Sequence, residues 1–80
     1  MTNLLTLKGK QMRLIDLTNE LQNIIGYDIL DHIPESELIE NSSASVTIND
    51  QEYNVIFEII EVDNYNLLNS NLEILEIEYI

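Results

Sequence analysis

The chain reads as an α+β fold: one amphipathic helix packed on a three-stranded antiparallel β-sheet, with a short helical turn near residues 34–40 and a fourth strand if residues 3–8 join the sheet. Three observations carry this expectation. Residues 52–63 form a long β-branched and aromatic run without Gly or Pro. Leu14, Leu17, Leu21, Ile24 and Ile25 recur at the three- and four-residue spacing of a helix stripe. Residues 44–48 and 72–80 alternate apolar and polar side chains in the manner of half-buried strands.

Residues 3–8 form a short strand or a lead-in that lays Leu5 and Leu7 on the core, and Gly9 breaks the pattern. The helix stripe predicts a helix from about Lys10 to Ile25, stopped by Gly26. Asp16 is the alternative N-cap, with a shorter helix from Leu17 and residues 11–15 extended. Residues 27–33 fit neither template, since two aspartates interrupt them. Residues 34–40 suit one or two helical turns, with Pro34 near the first helical position and carboxylates at the positive end of the dipole.

Strand 44–48 places Val46 and Ile48 inward, and Asn49-Asp50-Gln51 makes a hairpin turn into strand 52–63. That strand is apolar on both parities, as in a strand covered on both sides or central in its sheet. A polar loop carrying Leu67 and Leu68 leads to the last strand. There the adjoining Ile74 and Leu75 predict a β-bulge that restores Leu75, Ile77 and Tyr79 to one face and Glu76 and Glu78 to the other.

Eighty residues give one small domain, 1–80, with a single core and a stability on the order of 5 kcal/mol. Without cysteine there is neither a disulfide framework nor a thiolate metal site. No signal peptide or membrane span is legible, so a soluble cytoplasmic protein is the expectation.

Charge is the unusual property. The chain carries 15 acidic and 3 basic residues, a net of −12. Lys8, Lys10 and Arg13 all lie in residues 1–26, whereas residues 27–80 hold 13 of the carboxylates and no Lys or Arg. Self-repulsion on that scale predicts a melting temperature that rises with added salt and with mild acidification towards pH 5.

No constellation for catalysis stands out. His32 is the sole histidine and has no identifiable nucleophile partner, so an ordinary loop role outweighs general-base chemistry. The carboxylate pairs, such as Asp28/Asp31 and Glu76/Glu78, lack the cleft that glycosidic chemistry requires. Asp63-Asn64-Tyr65-Asn66 departs from a calcium loop at Tyr65 and lacks its glycine. Tyr27, Tyr53, Tyr65, Tyr79 and Phe57 come without the cationic footprint of a nucleic-acid binder, so direct nucleic-acid binding is not expected. No cofactor is implied.

The acidic strands remain. Glu58 and Glu61 on one strand, and Glu73, Glu76 and Glu78 on another, are expected on paired or neighbouring strands, with Asp63 as a flank. Same-face residues are spaced by roughly 6.8 Å, so two strands present about one carboxylate per 3.4 Å. That matches the spacing of about one phosphate per 3.4 Å along a nucleic-acid strand. The expected function is therefore a non-enzymatic acidic protein that occupies or inhibits a basic, nucleic-acid-binding partner through Glu58, Glu61, Asp63, Glu73, Glu76 and Glu78. In size, charge and lack of catalytic motifs the chain is similar in type to phage- or mobile-element-encoded inhibitors of host nucleases, among them anti-restriction and anti-CRISPR proteins, which share no common motif. The alternative is an assembly protein that forms a homodimer through its sheet, with the edge of the C-terminal strand as the pairing element.

Overall fold

The computed structural model describes residues 4–48 and 50–79. Residue 3 of the first segment, Asn49 of the hairpin turn, the side chain of Ile48, expected inward, and the end of the last strand at Ile80 lie outside that description. A 3-10 turn (Leu4–Leu7) leads to strand β1 (Gln11–Arg13), helix α1 (Leu14–Ile25), a second 3-10 turn (Ile29–Asp31), helix α2 (Glu35–Asn41) and strands β2 (Ser43–Ile48) and β3 (Gln51–Glu61). A third 3-10 turn (Leu67–Asn69) then precedes strand β4 (Asn71–Tyr79). The strands make one four-stranded antiparallel sheet in the order β1-β4-β3-β2. The fold is α+β.

The fourth strand comes from a different place than residues 3–8. That segment is a 3-10 turn, which buries Leu4 and Leu7 and leaves Leu5 exposed, so Leu5 is not a core residue. Gln11–Arg13 instead leave the expected helix and pair with Asn71–Glu73. Helix α1 accordingly starts at Leu14, between the two starts that the sequence offers. Asp16 is its third residue, and its carboxylate accepts from the Arg13 N–H at 3.2 Å and from Arg13 Nε at 3.1 Å. This contact satisfies a donor at the helix entry and sets an anion against the positive dipole end. At the other end Gly26 takes φ +68 and donates its N–H to the Gln22 carbonyl at 3.0 Å.

Residues 27–33 hold a turn in which the Asp28 carboxylate accepts from the Leu30 N–H and Ile29 is buried. Helix α2 follows Pro34 and buries Leu38. The β2–β3 hairpin pairs Ile48 with Gln51, and Asp50 at φ +66 supplies the left-handed residue for which no glycine is present.

Leu14, Leu17 and Leu21 of α1, Leu38 of α2, Ala44 and Val46 of β2, Val55 and Phe57 of β3, and Leu72, Ile74 and Ile77 of β4 form one core. All of it lies on one face of the sheet, the inner face. The expected bulge in β4 is present: Phe57 pairs with Ile74 but Ile56 with Glu76. It keeps Ile74 and Ile77 inward, yet it does not restore Leu75, which is the extra residue and stays 44 % exposed. Strand β3 is central and covered on its inner face alone, so Ile56 and Ile60 on its second parity stand on the open outer face.

Candidate functional site: the outer face of the sheet

Residues opposed across an antiparallel pair lie on the same face, so the register assigns the outer face. Glu58 faces Glu73, Ile56 faces Glu76, Asn54 faces Glu78, and Thr47 faces Glu52. A second register shift between Ile59 and Glu61 places Glu61 opposite Asn71, so Glu61 joins the side of Glu73 although its parity in β3 differs from that of Glu58. Five of the six sequence-predicted residues, Glu58, Glu61, Glu73, Glu76 and Glu78, therefore share one open face. Glu52 belongs with them as well. It has the parity of Glu58, and that parity is the signal by which it was findable.

Asp63 has a different task. Its carboxylate accepts from the Tyr65 and Asn66 N–H groups at 2.9 and 3.1 Å, and its own N–H donates to Ser70 Oγ at 2.9 Å. Ser70 is fully buried, and its carbonyl accepts the Leu14 N–H at the start of α1. Asp63 thus shapes the β3–β4 loop and ties it to the helix.

One N-terminal cation, Lys8, and the neutral Gln11 reach the acidic face, which sequence reading missed. Lys8 Nζ lies 3.1 Å from Glu76 Oε1, and Gln11 Nε2 donates to Glu73 Oε1 at 3.0 Å. The Lys8 hydrogen bond, with the Ile77 N–H as a second donor, holds the Glu76 carboxyl below its ordinary range. Arg13 does the same for Asp16 by its side-chain hydrogen bonds and, as a partner, is itself raised. Glu58, Glu61 and Glu78 make no ion pair with the described residues.

Between β1, the start of α1 and the end of β3 lies an open depression of about 350 Å³, lined by Gln11, Met12, Arg13, Asp16, Ile60 and Glu61 among others. It mixes one guanidinium with two carboxylates and an exposed isoleucine. His32 is exposed, with Nδ1 3.2 Å from the Asp28 carbonyl and its ring 4.7 Å from that of Tyr27. Tyr53 and Tyr79 lie with ring centroids 5.0 Å apart, and burial, followed by the influence of Tyr79, raises the Tyr53 hydroxyl above its ordinary value. Among the described residues no three His, Asp or Glu side chains gather as a metal cluster, and no helix is long and apolar enough to cross a membrane. No family model, no curated protein and no solved structure matches the chain.

Proposed function

We propose that the protein is a non-enzymatic binding module whose outer sheet face engages a basic, nucleic-acid-binding protein and occupies its nucleic-acid site. The observation that carries this reading is the direct opposition of Glu58 and Glu73 on an open face, with Glu61 and Glu78 on the same face and no ion pair from a described residue to Glu58, Glu61 or Glu78. Facing carboxylates on paired strands cost stability. A cationic partner turns that cost into binding free energy and a steered on-rate. The outer-face carboxylates Glu52, Glu58, Glu61, Glu73, Glu76 and Glu78 lie along a stretch of about 30 Å, about one per 5 Å, which is of the order of the one phosphate per about 3.4 Å along a nucleic-acid strand. The type of partner that fits is a nuclease or other DNA- or RNA-binding protein, as in phage-encoded inhibitors of host defence.

Affinity capture from the native host tests this, with wild type run beside the triple variant Glu58→Gln, Glu73→Gln, Glu78→Gln. The expected result is a basic protein that a duplex oligonucleotide releases from wild type and that the variant fails to retain. Capture that persists in the variant, or a partner that nucleic acid cannot displace, overturns the proposal.

A further inference from the structure

Strand β2 is an edge of the sheet, and its open side has a regular pattern. The Phe57 N–H donates to the Ser42 carbonyl at 3.0 Å, and the register runs unbroken from Ser43↔Ile56 to Ile48↔Gln51. By the antiparallel alternation, Ala44, Val46 and Ile48 direct their backbone groups to β3, whereas Ser43, Ser45 and Thr47 direct theirs away from the sheet. Ser45 and Thr47 are exposed, and the Ser45 hydroxyl is held back on Asn54 Oδ1 at 2.7 Å, clear of the edge. Sheet edges are ordinarily guarded by charge, proline or a bulge. The strand Ser-Ala-Ser-Val-Thr-Ile has none of the three.

We propose that β2 pairs antiparallel with β2 of a second copy about a two-fold axis at Ser45, giving a dimer with one continuous eight-stranded sheet. Two features favour a second copy as the occupant. First, the open residues are symmetric about Ser45: in this register Ser45 faces Ser45 of the other copy and Ser43 faces Thr47, so every outward N–H and C=O of the three residues finds a partner. Second, β2 is the only strand of the four with no charged residue. In a chain of net charge −12 it is the edge along which two copies approach without opposing carboxylates. Its nearest acid on the outer face is Glu52 of β3, and the two copies of Glu52 stand three strand spacings apart across the sheet, about 14 Å, and are further offset along it. That exceeds the screening length of about 8 Å. A two-fold axis normal to the sheet also leaves both acidic outer faces on the same side.

The absence of cysteine from the chain allows a direct test of register. In the proposed pairing the Ser45 Cα atoms of the two copies lie about 5.5 Å apart, within disulfide reach of about 4.4–6.8 Å. The two Thr47 Cα atoms are offset by four residues, about 13 Å along the strand. Under mild oxidation Ser45→Cys should crosslink to a covalent dimer about tenfold faster than the equally exposed Thr47→Cys. Sedimentation of wild type from 10 to about 300 µM should show concentration-dependent dimer, and Ser45→Lys, which sets two cations against each other at the axis, should remain monomeric with an unchanged fold by circular dichroism. Equal crosslinking of the two cysteine variants, a wild type monomeric throughout, or a Ser45→Lys protein that still dimerises overturns the proposal. A monomer that instead gains a strand from an extended foreign peptide is the competing outcome.

Discussion

Glu58 and Glu73 stand directly opposite each other on β3 and β4, the one register position in the described sheet at which two carboxylates meet. Gln11 donates to Glu73 from the next strand, whereas Glu58 makes no ion pair with a described residue. Glu58→Lys converts the pair to opposite charges. It is expected to stabilise the fold by about 0.5 kcal/mol and to weaken partner binding. Urea unfolding of the variant, read at constant m, checks the first half. An unchanged or lower midpoint would mean that the two carboxylates do not repel.

Salt gives a second measure of the same repulsion. Wild type should melt at a higher temperature in 0.5 M NaCl than in 20 mM NaCl, because screening contracts to a few ångströms at high ionic strength (about 3 Å at 1 M). The increment should shrink in Glu58→Lys. The Lys8–Glu76 and Arg13–Asp16 pairs act in the opposite sense, since salt weakens them. A melting temperature that falls with salt would assign the balance to those pairs.

The three longer strands, the body of helix α1 and four glutamates of the outer face (Glu58, Glu73, Glu76 and Glu78) were legible because alternation and helical spacing are local, whereas Glu61 reaches that face only through the register shift after Ile59. The departures share one cause, contacts between residues distant in sequence. Gln11-Met12-Arg13 alternate polar, apolar and polar, but three residues carry little signal beside a longer helix stripe, and only Asn71–Glu73 make them a strand. Lys8 and Gln11 reach Glu76 and Glu73 through that same pairing. Leu75 looks inward by parity, and it is the bulge that turns it out. The C-terminal strand offered an edge for a second copy; β1 and the bonds of Gly9 and Lys10 to Ile74 cover that edge from Asn71 to Ile74, and the edge strand open along its whole length is β2. Asp63 sits in an acidic run, and nothing in its neighbours announces that the amides of Tyr65 and Asn66 will claim its carboxylate.

Leu5 and Leu7 separate the 3-10 turn from the strand it replaces. On a strand both would share the core-facing parity, whereas the structure buries Leu7 to 1 % exposure and leaves Leu5 at 41 %. Leu7→Ala should cost about 2–5 kcal/mol, a large fraction of the stability of so small a domain. Leu5→Ala should stay within about 0.5 kcal/mol. Chemical denaturation of the two variants decides, and equal losses would place both side chains in the core.

Gly26 closes α1 in the left-handed region at φ +68, and a Cβ built there meets nothing within 4 Å. The cost of Gly26→Ala is therefore conformational and should be about 1 kcal/mol. Gly26→Asn, a residue that tolerates the region, should recover part of that loss. A neutral alanine variant in thermal melts would mean that the helix ends by another route.

Lys8 and Glu76 join the N-terminal segment to β4, and their link has a pH signature. Glu76 titrates below its ordinary value of 4.5 because Lys8, and secondarily the Ile77 N–H, donate to the ionised form. A depressed folded value means that the unfolded chain binds the proton more readily. The pair therefore contributes its stability above the unfolded value and loses it as pH falls through the folded one. Asp16 behaves alike through Arg13, below its ordinary value of 3.8. Both contributions are present at neutral pH and at pH 5; that of Glu76 fades below about pH 4.5 and that of Asp16 below about pH 3.8. The Lys8→Met variant should raise the Glu76 midpoint, read from its side-chain carboxyl resonance, while leaving that of Asp16 in place. Its deficit against wild type should vanish in strong acid, where the carboxylate is protonated with or without its lysine. A Glu76 midpoint indifferent to Lys8 would show that the Ile77 amide holds it alone, and the link between the N-terminal turn and β4 would then rest on the Gly9 and Lys10 backbone bonds to Ile74.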